Sequence, residues 1–158
     1  MSEIQTVDLT EVPEDCSISI IIGRYNDHIG SRLLQGCMST LAEKGIGDES
    51  TSIIYVPGAF EMPVTAARLA RLGKADAIIT LGAVIRGDTP HFNFVASECA
   101  SGLSRVAIDF DLPVIFGVLT VDNEEQAQAR SGDNCNNKGS EVALTALEMI
   151  SILRKISE

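Results

Sequence analysis

Ala77-Ile78-Ile79-Thr80-Leu81-Gly82-Ala83-Val84-Ile85-Arg86-Gly87-Asp88-Thr89-Pro90-His91 carries the change from strand to helix that decides the fold of this chain. Ala77 to Leu81 is a short, β-branched apolar run, long enough for a strand and too short for a helix. Because it is apolar at successive positions and does not alternate, it predicts a strand covered on both faces, as in a parallel sheet. Gly87 lets the backbone turn closely, Asp88 or Thr89 suits a helix N-cap, and Pro90 suits the first helical position. A long helix is expected from Pro90 to about Phe110, with Phe92, Val95, Cys99, Val106 and Phe110 on its buried side.

The same alternation extends outward. Ser17 to Gly23 reads as the first strand, and Ile29, Leu33, Cys37 and Leu41 recur at helical spacing until Lys44-Gly45, a basic residue followed by glycine. Ser52 to Val56 is a second strand closed by Pro57-Gly58, and a helix is expected from Pro63 to Leu72 with Glu61 near its positive end. Downstream, Pro113 to Leu119 is the fourth strand. Asp122-Asn123-Glu124-Glu125 has capping-box spacing ahead of a short helix that ends by Gly132, and Gly139 to Ile156 is a final amphipathic helix. Strands alternating with helices predict an α/β fold: a three-layer α/β/α sandwich on a doubly wound, four-stranded parallel sheet in flavodoxin-like order. Residues 1–158 read as one domain with residues 1–15 as an N-terminal arm, in which Glu3 to Leu9 are compatible with an extra strand added to a neighbouring subunit or with disorder.

Composition excludes several functions. A chain of 158 residues buries roughly 70% of its unfolded surface and needs no disulfide or metal to hold a core. The net charge of −10 argues against nucleic acid, whose binding requires Lys and Arg. The segment before Cys16 is acidic and unlike a signal peptide, and no apolar run approaches the roughly 20 residues of a membrane span. Cys16, Cys37, Cys99 and Cys135 are widely spaced, with no Cys-x-x-Cys, and only His28 and His91 join them as soft ligands. Reduced, buried thiols, no metal site and a cytoplasmic location are therefore expected. Walker, dinucleotide-binding and Gly-x-Ser-x-Gly motifs are absent.

In open α/β sheets, ligands bind beyond the carboxyl ends of the strands. The chain has only seven aromatic residues, five Phe and two Tyr, and Tyr25, Phe60 and Phe116 fall at or near those ends, where aromatic faces suit a flat heterocycle. Taken alone, Phe60 and Phe116 each read more readily as ordinary core residues. Backbone N–H groups at the start of the helix after Gly87 favour an anion, with the Thr89 hydroxyl as a further donor and Asp88 contributing its main chain. His91 follows as a general base, or as a surface histidine decorating a first turn. Arg130 and Lys138 bracket a Gly/Asn-rich loop that closes over a phosphate, or they are solvated ends that compensate helix dipoles.

Taken in order, Arg24-Tyr25-Asn26, Val56-Pro57-Gly58-Ala59-Phe60-Glu61, Gly82 through Phe92, Phe116-Gly117-Val118-Leu119-Thr120 and Arg130 through Gly139 resemble the 6,7-dimethyl-8-ribityllumazine synthase family. The resemblance spans essentially everything from Ser17 onward. It implies a cofactor-free transferase that condenses 5-amino-6-(D-ribitylamino)uracil with 3,4-dihydroxy-2-butanone 4-phosphate in riboflavin biosynthesis. By the same resemblance, Tyr25 stacks on the pyrimidine, Asn26 lies beside it, and Ala59, Phe60 and Glu61 hold that substrate and its ribityl chain. Ala83, Val84 and Ile85 meet the ring edge by main chain, and Asp88, Thr89 and Arg130 bind the phosphorylated ketone. His91 transfers protons, Phe116 is an aromatic wall from the adjacent subunit, and Lys138 is a basic neighbour of the site. Homopentamers with sites between subunits are implied, compatible with an icosahedral shell of twelve, and riboflavin synthase is a further partner. Tyr25 stands where Phe or Trp is common, Asn134 where Lys is common, and Ala129 where an acidic residue is frequent. Two other functions fit the scaffold: a non-catalytic flavin or lumazine binder, which has no need of His91, Arg130 or Lys138, and a flavodoxin-like regulatory domain.

Overall fold

The computed structural model describes residue 6, residues 11–133 and residues 135–158. Apart from residue 6, the expected extra strand at Glu3 to Leu9 lies outside the described residues, as does Asn134. The elements follow as β1 (Ile18–Gly23), α1 (Asp27–Glu43), β2 (Thr51–Val56), α2 (Met62–Leu72), β3 (Ala77–Ile85), α3 (His91–Phe110), β4 (Val114–Val121), α4 (Glu124–Ala129) and α5 (Lys138–Ile156), with 3-10 turns at Asp48–Ser50 and Ala59–Glu61. The four strands form one sheet in the order β2-β1-β3-β4. Every pairing is parallel, with Ile20 opposite both Ile53 and Ile79, and Leu81 opposite Gly117. This is the three-layer, flavodoxin-like α/β/α arrangement that the alternation predicts.

The continuous apolar runs are explained by two cores. Successive strand residues point to opposite faces. Ile20, Ile22, Ile79 and Leu81 meet Leu33 of α1 and Ala146 of α5 on one face. Ile21, Ile78 and Val118 meet Met62 of α2 and Cys99 and Leu103 of α3 on the other. A central strand with apolar residues at every position therefore satisfies both layers. β2, at the sheet edge, is covered less completely: Ile53 and Tyr55 are exposed, so a run that reads as doubly buried is only half so. Layer spacing depends on glycine at Gly117, where a Cβ would lie 2.5 Å from Thr80 O on the neighbouring strand.

Several boundaries depart from the sequence expectations. β3 runs four residues past Leu81, because Ala83, Val84 and Ile85 pair with Leu119, Thr120 and Val121. The α3 start is shifted: Pro90 occupies the N-cap (φ −69°, ψ 1°) and His91 is the first helical residue, with no side-chain cap from Asp88 or Thr89. Thr89 Oγ1 accepts only a long bond of 3.4 Å from His91 N. The α4 cap is Asn123, whose side chain accepts from Gln126 N at 2.9 Å, while Gln126 Oε1 accepts from Asp122 N; the box sits one residue later than expected. The buried side of α3 is Cys99, Leu103 and Val106. Phe110, expected among them, is exposed at the last residue of the helix, where partly buried Leu112 packs against the core instead. Of the four thiols Cys135 is exposed, contrary to the expectation that all are core residues. Among the described residues no helix is long and apolar enough to cross a membrane.

Candidate functional site

A cavity of about 450 Å³ opens at the carboxyl ends of β1, β2 and β3. Its floor is small and apolar, from Gly23, Gly82, Ala83 and the fully buried Met62. The β1–α1 loop is held to the sheet by continued pairing: Arg24 N donates to Val56 O at 2.8 Å and Tyr25 N to Pro57 O at 3.1 Å. Asn26 then turns the chain through the left-handed region (φ 57°), which asparagine tolerates better than most residues. Its Nδ2 donates to Ala83 O at 3.0 Å, locking the loop to β3. The Tyr25 ring lies against Gly58, where a Cβ would come within 2.5 Å of Cδ2. Glycine at this position is what lets the ring lie over the strand end.

The turn Ala59–Glu61 buries Ala59 and leaves the Phe60 ring 58% exposed at the cavity wall, with Glu61 beside it. Val84 and Ile85 form the β3 edge, and α3 closes the far side through His91, Phe94 and Val95. Tyr25, Phe60 and Phe94 thus present three exposed aromatic faces to one cavity, around a main-chain edge and an imidazole. Rigid aromatic walls with few polar groups suit a flat ring bearing hydrogen-bonding edges. Phe94 did not figure among the candidates. Its signal was available, because it lies three residues after His91 on the same helix and so shares its face.

The remaining candidates lie elsewhere. A second depression of about 650 Å³ flanks β4, the far edge of the sheet, and is lined by Phe116, Thr120, Arg130, Cys135, Lys138 and others. Phe116 is 37% exposed there and so is not a closed core residue in the single chain. Arg130 and Lys138 are tied by the main chain, Lys138 N donating to Arg130 O at 2.8 Å. Arg130 Nη1 donates to Gln126 O at 3.0 Å, and Lys138 Nζ pairs with Glu141 Oε1 at 2.7 Å. Asp88 and Thr89 are exposed beside His91 and line neither cavity. Within one chain, then, Tyr25, Phe60 and His91 come together, while Phe116, Arg130 and Lys138 form a separate group.

Electrostatics around these cavities is simple. Burial pushes the Cys37 thiol up to about 12 and Cys99 to about 11, so neither is a nucleophile, and neither lines a cavity described above. His28 Nε2 and Glu124 Oε1 lie 2.5 Å apart across the starts of α1 and α4, and this bond holds the Glu124 carboxyl below its usual range. A family model described as 6,7-dimethyl-8-ribityllumazine synthase matches residues 15–154 of the chain.

Proposed function

The chain belongs to the 6,7-dimethyl-8-ribityllumazine synthase family, and from that membership we propose that it condenses 5-amino-6-(D-ribitylamino)uracil with 3,4-dihydroxy-2-butanone 4-phosphate, releasing phosphate and water. The family supports a lumazine synthase of the transferase class in riboflavin biosynthesis. The observation that carries the finer reading is the first cavity, in which Tyr25, Phe60, a β3 main-chain edge and His91 surround a space of about 450 Å³. Tyr25 stacks on the pyrimidine, Asn26 braces the loop that carries Tyr25, and Ala59, Phe60 and Glu61 receive the ribityl chain. Ala83, Val84 and Ile85 meet the ring edge through their main chain.

The chemistry is amine addition to the ketone with loss of water, elimination of phosphate to leave an enol that tautomerises to a carbonyl, and attack of the ribitylamino nitrogen on that carbonyl with loss of a second water to close the ring. Each step moves a proton between heavy atoms that must already be held close together, so positioning plus one side chain able to give and take a proton suffices. His91 is that group, at the cavity wall. Asp88 and Thr89, immediately before it, take the departing phosphate with Arg130.

Arg130, Phe116 and Lys138 lie in the second depression, so we propose that a second copy brings that depression against the first cavity and completes the site between subunits. The exposed apolar side chains Val64, Phe94 and Ile108 on α2 and α3 support burial between copies, because a lone soluble chain gains nothing by presenting them to water. We propose pentamer-based assembly, with riboflavin synthase as a further partner, on the family resemblance alone. Mixing the two substrates with purified protein and following lumazine absorbance tests the reaction; no product from folded protein overturns it. His91→Ala is expected to slow turnover without altering the fold, and wild-type turnover would remove its role. Arg130→Ala is expected chiefly to raise KM for the ketone. If the site is shared between copies, slowed His91→Ala and weakened Arg130→Ala chains, dissociated and reassembled together, form some intact sites and at low ketone exceed the mean activity of the two parents.

A further inference from the structure

Arg86 leaves β3 where the loop Gly87 to Pro90 begins, and its contacts hold the two ends of that loop together. Its main-chain N donates to Val121 O at 2.9 Å, which keeps it in register with β4. Nε donates to Asp122 Oδ1 at 2.9 Å, and Nη1 reaches Asn93 Oδ1 at 3.5 Å in the first turn of α3. The guanidinium carbon lies 4.4 Å from the centroid of the Phe92 ring in the same turn. The loop itself has little else to hold it. Gly87, Asp88, Thr89 and Pro90 are all exposed, a Cβ at Gly87 would meet nothing within 4 Å, and the one bond from the Thr89 side chain to the helix is long. Segments with few buried contacts open locally unless their ends are fixed.

We propose that Arg86 is a positioning residue for the phosphate-bearing substrate, clamping the start of α3 to β3 and to the β4–α4 loop so that the exposed segment from Gly87 to His91 keeps one geometry. This rests on the reading that Asp88 and Thr89 receive the phosphate. A planar fork is the right device, because one guanidinium donates in two directions while its face stacks on an aromatic ring. A lysine at the same place would supply charge and lose both the second donor direction and the stacking. The role is distinct from attracting the anion, since Asp122 already offsets the charge of Arg86.

The test uses full-length Arg86→Ala and Arg86→Lys. Hydrogen exchange of the segment 87–93 is expected to quicken in both variants while the central strands β1 and β3 stay protected. KM for the phosphorylated ketone is expected to rise about tenfold and KM for the pyrimidine to change less than about twofold, since misplacing one substrate's anchor penalises that substrate alone. Added guanidinium should recover part of the loss in Arg86→Ala. Unchanged exchange and unchanged ketone KM in a folded Arg86→Ala overturn the proposal. So does an Arg86→Lys variant indistinguishable from wild type, which would make charge the whole effect. Wild-type protein without turnover would refute the synthase reading, and the exchange comparison would still decide for or against the clamp. Should Arg86→Ala fail to fold, Arg86→Lys and Asn93→Ala carry the same two measurements.

Discussion

Removing the side chain of Asn137 should unseat both the last helix and the loop that presents Arg130 and Lys138. Asn137 is 7% exposed, and its Nδ2 donates to Arg32 O at 3.2 Å, Ser131 O at 3.3 Å and Gly132 O at 3.0 Å. Its Oδ1 accepts from Gly139 N at 2.8 Å and Ser140 N at 3.3 Å, capping α5. In Asn137→Ala the lost cap costs about 1 kcal/mol, and carbonyls stripped of their donor in a near-buried site add about 2 kcal/mol. A total of about 3 kcal/mol corresponds to a fall of about 6–12 °C in Tm for a chain of this size. Asn137→Asp separates the two halves of the role. A carboxylate still caps α5, yet it has no proton to offer the three carbonyls, and their repulsion is expected to outweigh the two capping N–H groups and raise its folded-state pKa above the unfolded value. A raised carboxyl pKa gives stability that is present at low pH and lost as pH rises through the folded value. Asn137→Asp should therefore melt closer to wild type in acid than at neutrality, whereas Asn137→Ala keeps a constant deficit. Thermal melts followed by circular dichroism at both pH values decide it. An Ala variant within about 2 °C of wild type, less than the shift expected from 1 kcal/mol, would refute the reasoning.

Gly58→Ala places a methyl where the Tyr25 ring now lies, 2.5 Å from Cδ2, and because Tyr25 is two-thirds exposed the ring swings out while the fold survives. Loss of stacking worth about 1.5 kcal/mol should raise the pyrimidine KM about tenfold at unchanged Tm, and an unchanged KM would show that the ring does not contact that substrate. The bond from His28 lowers the Glu124 carboxyl pKa, so its contribution to stability is present above the unfolded value and lost as pH falls through the folded one. The Tm gap between wild type and Glu124→Gln should accordingly close on acidification; a gap that widens would contradict the assignment. With Cys16, Cys37 and Cys99 buried and raised in pKa, an aromatic disulfide reagent should label Cys135 first in native protein. Cys135→Ser should abolish that fast phase, and its persistence would place a core thiol in solvent.

Much of this was legible in the residues because local rules and global packing agree. The runs at Ser17 to Gly23 and Ala77 to Leu81 read as doubly covered strands, and both sides of each are filled by helices. Lys44-Gly45 read as a helix stop, and Gly45 indeed turns through φ 83° while Ile46 N closes on Leu41 O. The failures fall where a neighbour in space overrides a local preference. Ladder pairing with Leu119 to Val121 carries β3 on through Ile85. Edge position leaves Tyr55 exposed, and Phe110 overhangs the core it was expected to fill.

By itself the sequence determined the order of elements, the parallel sheet and the place of the aromatic-walled cavity after Gly23, Gly58 and Gly82, because apolar periodicity and glycine or proline turns act over a few residues. Tertiary structure alone decided which residues meet. Tyr25, Phe60, Phe94 and His91 converge because β1 and β3 are adjacent in the sheet and β2 flanks β1. Arg130 and Lys138 are carried to the other edge by β4. Arg86 stacks on Phe92 and pairs with Asp122 only because the ends of β3 and β4 lie side by side. Such encounters depend on strand order and register, which join residues far apart in the chain and leave no mark on the local pattern of either.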